Sequence, residues 1–192
     1  MAALPGLRWT AAEYLAFERE AEIRHEFIDG LVYAMAGAPE RHNQLTSALN
    51  FLLYGQLLER DCQVFLSDMR VRIDEKVFFY PDVVVVCGEA RYTDSRRDML
   101  LNPTAVFEVL SPSTQDFDRG TKFSFYRAIP TLRDYVLVSQ KQIQVEHYTR
   151  QSDNRWVLRD LTQPDDQITL PSIGCMLALN DVYRRVRFEE SD

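Results

Sequence analysis

The sequence predicts an α/β fold: a mixed β-sheet with a parallel centre and antiparallel flanks, and helices on both faces. Three observations carry this. The runs Val83-Val84-Val85-Val86 and Ala105-Val106-Phe107-Glu108-Val109-Leu110 are continuously apolar apart from one acid, as strands buried on both faces are. Residues 104–138 read strand, helix, strand, a crossover that makes its two strands parallel neighbours through a right-handed connection. Residues 143–148 and 156–161 alternate apolar with polar, the pattern of antiparallel strands with one wet face.

The elements follow in order. Thr10 and Glu13 form a capping-box pair that opens a helix, with Tyr14, Leu15 and Phe17 inward. Two apolar runs, residues 23–28 and 31–35, flank Asp29-Gly30, a pair that tolerates the positive φ of a hairpin turn. Gly37-Ala38-Pro39 breaks the chain before a long helix, whose Leu45, Ala48, Leu49, Leu52, Leu53 and Leu57 recur at helical spacing on one face. Short strands follow at 64–66, 69–73 and 77–80; in the second, Arg70 and Arg72 share a face. Ser111-Pro112-Ser113-Thr114 ends the second buried strand, and a helix from about 118 to 128 stops at Pro130. Residues 134–138 are a third central strand, and Asn180 caps a short closing helix after Leu177-Ala178-Leu179.

Composition bounds the function. The chain of 192 residues, 46% hydrophobic and 27% charged, is expected to be one domain with a core over about 10–186 and a mobile tail after about Phe188. No apolar run is long enough for a membrane helix. Met1-Ala2-Ala3-Leu4-Pro5-Gly6 has no basic segment before an apolar core, so a cytoplasmic protein without a secretory signal is expected. Cys62, Cys87 and Cys175 are widely spaced and suggest neither zinc site nor disulfide, with Cys87 a small buried hydrophobe. The formal charge of −7 argues against indiscriminate coating of nucleic acid, which rests on lysine and arginine. It is compatible with a site that needs a cation before it tolerates phosphate.

The chemistry concentrates in two acids that stand where charge is costly. Asp82 follows Tyr80-Pro81 at the mouth of the valine strand, and Glu108 interrupts the second buried strand. A buried carboxylate without a partner takes up a proton, so each needs compensation. If the strands are neighbours, both acids can hold one magnesium ion, which keeps room for a substrate phosphate. Lys122, in the following helix, can position water or stabilise transition-state charge, with Asp118 and Tyr126 one turn away on the same face. Other readings stand beside these: Asp82 as a turn cap, Glu108 paired with Arg70 or Arg72, or the two acids as a metal-free acid–base pair.

His25 and His42 are read as hydrogen-bonding supports, His42 at the entry of the long helix and lining the site, rather than as general bases. His147 is expected to be exposed on an outer strand. Ser111, Ser113 and Thr114 lack a nucleophile-elbow pattern and are read as a cap that shapes the site floor. Arg91, Arg96 and Arg97 form a basic loop between the two acidic strands, either solvated or gripping a phosphate backbone. Arg184, Arg185 and Arg187 read as a charge cluster at a helix C-terminus.

Together these residues resemble the PD-(D/E)xK nuclease superfamily, with its restriction-endonuclease-like fold. More narrowly, the chain resembles the bacterial Uma-two family of endonuclease-like proteins, formerly a domain of unknown function. The resemblance rests on Arg24-His25-Glu26-Phe27-Ile28-Asp29-Gly30, Ala38-Pro39-Glu40-Arg41-His42-Asn43, Tyr80-Pro81-Asp82 and Phe107-Glu108-Val109-Leu110-Ser111-Pro112-Ser113-Thr114. It continues through Asp118-Arg119-Gly120-Thr121-Lys122 to Tyr126 and spans about residues 10–182. It implies a metal-dependent endonuclease acting on DNA, with magnesium (or manganese in its place) held by Asp82 and Glu108, and Glu26 as an additional acid. The superfamily pattern wants lysine where this chain has Leu110, and the resemblance implies that Lys122 has taken over from the helix. Lys122→Ala is then expected to spare the fold and abolish turnover. A nuclease-derived DNA- or protein-binding domain without turnover is the alternative. A homodimer is plausible because cutting two strands takes two sites.

Overall fold

In the computed structural model of the chain, the structure describes residues 8–188. The segment read as lacking a secretory signal and the tail read as mobile lie outside them. The chain runs through α1 (Ala11–Glu18), β1 (His25–Ile28), β2 (Leu31–Ala34), α2 (Glu40–Leu57), β3 (Cys62–Leu66), β4 (Arg70–Arg72), β5 (Val77–Phe79), β6 (Val83–Cys87), β7 (Met99–Leu100) and β8 (Ala105–Leu110). It continues through α3 (Gln115–Phe117), a π turn (Asp118–Lys122), α4 (Phe123–Tyr126), β9 (Asp134–Ser139), β10 (Val145–Arg150), β11 (Trp156–Leu161), β12 (Gln167–Leu170), β13 (Cys175–Ala178) and α5 (Leu179–Val182).

Local signals account for the first elements. The Thr10 hydroxyl accepts from the Glu13 N–H at 3.2 Å while the Thr10 N–H donates to the Glu13 carboxylate at 2.7 Å. That reciprocal cap satisfies amides the first turn leaves open. Asp29 and Gly30 both take positive φ, 47° and 86°, and β1 and β2 pair across them.

The main sheet has the order β11-β10-β9-β8-β6-β3. Its parallel centre is the β8–β9 pair, and every other pairing in it is antiparallel. A second sheet, β2-β1-β5-β4-β7, holds the early hairpin. The valine strand is buried on both faces: Val83 and Val85 pack with the inner leucines of α2, and Val84 and Val86 with Tyr126, Tyr135 and Leu110. On α2, Leu45, Leu49, Leu53 and Leu57 are buried, each contributing about 1.5–3 kcal/mol of transfer free energy. Among the described residues no helix is long and apolar enough to cross a membrane.

Several expectations change. The helix expected over 118–128 is two short α segments joined by the π turn. Gly120 at its centre weakens α geometry, and the wider turn brings Asp118 and Lys122 to one buried side. Cys62 and Cys87, far apart in sequence, are directly opposed in the β3–β6 register and form a disulfide, Cα–Cα 4.0 Å. Cys87 is therefore a cross-strand link and not a lone hydrophobe. The strand Cys175–Ala178, partly read as the lead-in to a helix, pairs with β12 in an unforeseen hairpin.

That hairpin explains the error at His147, which is buried and not exposed, 2% accessible. Its Nε2 lies 2.7 Å from Asp134 Oδ1, and the Ser172 hydroxyl, from the loop between β12 and β13, donates to the other oxygen of Asp134. Asp134 is fully enclosed and anchors the layer. Asp134→Ala strips the partners from a buried histidine and serine, so urea denaturation should show a loss of about 3 kcal/mol; a loss below about 1 kcal/mol would contradict this anchoring role.

Candidate active site

The β6–β8 register ends at Val83 opposite Phe107, which brings Asp82, just before β6, and Glu108, in β8, to the same end of neighbouring strands. Asp82 stands where pairing stops. Pro81 has no N–H to give, and the Asp82 Oδ2 accepts the Val109 N–H at 2.7 Å, completing the β8 edge that the ladder leaves open. The same oxygen lies 3.2 Å from His42 Nε2, which the first turn of α2 delivers. The Ser67 hydroxyl donates to the Asp82 carbonyl at 3.4 Å.

Glu108 points to the side covered by the π turn. There the Lys122 ammonium sits 2.8 Å from Glu108 Oε1, 3.0 Å from Glu26 Oε1 and 3.8 Å from Asp118 Oδ1. Lys122 is 5% exposed, and its Nζ lies 5.4 Å from the centre of the Phe79 ring. Glu26 is oriented in turn by the Tyr80 N–H, 3.4 Å from its Oε1. Tyr80 OH reaches on to Glu18 at 2.9 Å, and Glu18 holds His25 Nδ1 at 2.9 Å. His25 is thus a support behind the site, as expected.

The charges are unevenly matched. Burial lifts the carboxyl groups of Glu26, Glu108 and Asp118 above their usual range; Lys122 pulls each back, and neighbouring acids push them up again. Glu108 moves furthest, well above an ordinary glutamate. Burial alone would lower the Lys122 ammonium, but Glu108, Glu26 and Asp118 outweigh it and hold its pKa well above an ordinary lysine. Glu108 Oε1 is buried and accepts no directed hydrogen bond; its contact with Lys122 is a close ion pair without hydrogen-bond alignment. The buried Tyr126 hydroxyl also has no hydrogen-bond partner, and burial followed by the Glu108 charge raises its pKa well above normal.

These groups floor a cavity of about 500 Å³. Residues 34–39 and 111–114 also line it. Ser111 Oγ lies 3.0 Å from Ser113 Oγ and 2.9 Å from Thr114 Oγ1, a hydroxyl cluster at the rim. Leu110, in the position where the superfamily pattern wants lysine, packs in the apolar core with Val106 and Leu137.

Glu26, Asp82, Glu108, Asp118, Lys122, His42 and Ser111 all line this cavity, while Tyr126 lies behind it. Arg91, Arg96 and Arg97 do not line it. Their loop joins the end of β6 to the start of β8, which the antiparallel register puts at the far end of both strands from Asp82 and Glu108. There Asp94 and Asp98 pair with Arg19, Asp98 also with Arg70, and the Arg97 guanidinium lies over Tyr92. Arg70 therefore serves Asp98 and not Glu108. Ser67, Tyr80 and Gln140 also line the cavity and were not foreseen. Gln140 follows β9, whose Ser139 pairs with Leu110, so only the parallel register reveals it.

A family model described as "Uma2: Putative restriction endonuclease" matches residues 11–180. In Synechocystis sp. (strain ATCC 27184 / PCC 6803 / Kazusa), "Uncharacterized protein sll1609" is 42% identical over 160 residues, covering 83% of this chain and 90% of that protein. A second protein of the same organism, "Uncharacterized protein slr1290", is 36% identical over 177 residues, 92% of each. A solved structure described as a "putative nuclease belonging to DUF820 from Anabaena variabilis ATCC 29413" shares the fold, with TM-score 0.78 at 17% identity over 92% of this chain and 98% of that one. The resemblance carried by the short motifs thus holds across nearly the whole length. With residues 11–180 under one family model and two relatives that match most of the chain, it belongs to the Uma2 family.

Proposed function

We propose that the protein is a magnesium-dependent endonuclease that hydrolyses phosphodiester bonds in DNA. The observation that supports this most is the ammonium of Lys122, brought from a helix to 2.8 Å from Glu108 Oε1. It occupies the role that a strand lysine in place of Leu110 would fill. The family description, a restriction endonuclease, supports the reaction class and substrate.

The residues fit the implied ion. Glu108 Oε1 is a buried acceptor without a directed hydrogen bond, and Asp82 lines the same cavity. Hard carboxylate oxygens of this kind suit magnesium, with manganese as a substitute, and one or two of them suffice. Among the described residues no three His, Cys, Asp or Glu side chains form a cage, so the arrangement differs from a closed zinc site. When bound, the ion supplies positive charge at the scissile phosphate and acidifies an attacking water. Lys122 directs its ammonium at that water or at the charge on the pentacovalent phosphate. Glu26 and Asp118 hold the ammonium in place, while His42 and the Val109 N–H fix the Asp82 carboxylate.

The test is calorimetric titration with magnesium and manganese, paired with cleavage assays on plasmid and single-stranded DNA. Wild type should bind the ion and nick DNA only in its presence. Asp82→Asn, which keeps the shape of the side chain, should weaken ion binding at least about tenfold. No binding at millimolar ion overturns the reading. Ion and DNA binding without cleavage identifies a nuclease-derived DNA-binding or regulatory domain, the reading favoured by Leu110 in the usual lysine position and by the net charge of −7.

A further inference from the structure

The acidic cavity cannot grip a nucleic-acid backbone by itself. Its lining carries Glu26, Asp82, Glu108 and Asp118 against Lys122 and His42, so phosphates must be held by charges outside it. The outward face of α2 supplies an unusual neighbour. While its inner leucines are buried, Phe51 is 76% exposed, far more than a core-facing ring would be. Beside Phe51 lies a second concavity of about 660 Å³, lined also by Asn43, Gln44, Ser47, Asp181, Arg184 and Arg185. Asn43 lines both hollows, so the two adjoin there. Arg184 shares the Asp181 carboxylate, whereas Arg185 has no carboxylate in ion-pair range among the described residues.

We infer that this groove is a binding subsite for single-stranded nucleic acid that leads the strand past Asn43 into the acidic cavity. A flat ring in the open, two guanidiniums and two side-chain amides are the chemistry of strand binding: a stacking platform for a base, cations for phosphate, and amides for base edges or sugar. An exposed ring favours an unpaired base, because a duplex keeps its bases stacked inside. Arg184 and Arg185 against Asp181 leave the lining net positive, which suits a phosphate backbone as occupant. The inference rests on the nuclease reading of the cavity and narrows its substrate to single strands or frayed ends. The arginines at the end of α5, which the sequence offers only as a helix-end charge cluster, acquire a partner.

Fluorescence anisotropy of the full chain in EDTA, with labelled oligothymidylate of about a dozen nucleotides and a duplex of equal length, tests the groove without cleavage. The single strand is expected to bind about tenfold or more tightly than the duplex. Phe51→Ala should lose about tenfold, the value of one stacked base. Phe51→Trp should restore binding and show tryptophan quenching on titration. Arg185→Gln should reduce the slope of log affinity against log salt by about 0.7. Because Phe51 is exposed, circular dichroism should show the variants folded. Equal or tighter binding of duplex, or indifference to Phe51→Ala, overturns the inference. So does sedimentation showing that Phe51→Ala turns a dimer into monomers with oligonucleotide binding unchanged, which assigns the face to a second copy. Loss of the groove with intact metal-dependent plasmid cleavage spares the nuclease; strand binding without metal-dependent cleavage spares the groove.

Discussion

Lys122→Ala is expected to destabilise the fold by about 3–5 kcal/mol at neutral pH as well as to abolish turnover. The sequence suggests a catalytic lysine on a helix, removable without harm to folding, but its burial argues for a loss of stability. Lys122 is buried among Glu26, Glu108 and Asp118, and deleting it leaves three enclosed acids without a counter-charge. The sign of the pH dependence follows. These carboxyl groups are already raised in the folded protein, chiefly by burial, and without the lysine they rise further. A group whose folded pKa is raised contributes stability that is complete below its unfolded value and lost as pH rises through the folded one. The variant should therefore approach wild type near pH 5 and fall away toward pH 8. Over that window Lys122 in the wild type stays charged, because its own pKa lies well above an ordinary lysine. Urea midpoints at both pH values measure the gap; a gap that does not change with pH would show that the carboxylates are not the source of the loss.

Glu108→Gln should do the reverse: stabilise the metal-free protein and destroy the site. Glu108 is raised well above its ordinary pKa, first by burial and then by Asp82, Asp118 and Glu26, against the opposing pull of Lys122. An amide of the same shape removes one charge from this crowded group and can donate to a neighbouring carboxylate. At pH 8 the gain should be about 1 kcal/mol, or about 2–4 °C in melting temperature for a chain of this size. Turnover should fall at least about a thousandfold. Magnesium should raise the melting temperature of wild type and leave that of the variant unmoved. A variant that melts lower than wild type would refute the view that the site holds unrelieved repulsion for the sake of function.

Much of this site is legible in the sequence. Asp82 and Glu108 are conspicuous because charge interrupts sequences that otherwise read as buried strand. Asp118 stands out by its one-turn spacing from Lys122, whereas Glu26 needs the family resemblance, since an acid after a histidine is ordinary. What is not legible is compensation. Nothing local tells Glu108 to pair with Lys122 and not with Arg70 or Arg72; Asp98 takes Arg70 from a loop that looks basic. The same limit hides His147, whose alternating strand signals a wet face until the β12–β13 hairpin covers it. It hides the Cys62–Cys87 link too, since only the β3–β6 register opposes the two residues.

The sequence by itself determines the central buried strands, the long helix, the hairpin turn and the two misplaced acids, because these follow from periodicity, turn chemistry and the cost of burying charge, all properties of neighbours along the chain. The tertiary structure alone decides which charges meet, because an ion pair across a sheet depends on register and on the turn that carries its partner. The π turn at Gly120, not the residue type at 122, carries the lysine to Glu108. The antiparallel register, in turn, sends the basic loop of Arg91, Arg96 and Arg97 to the far end of the acidic strands.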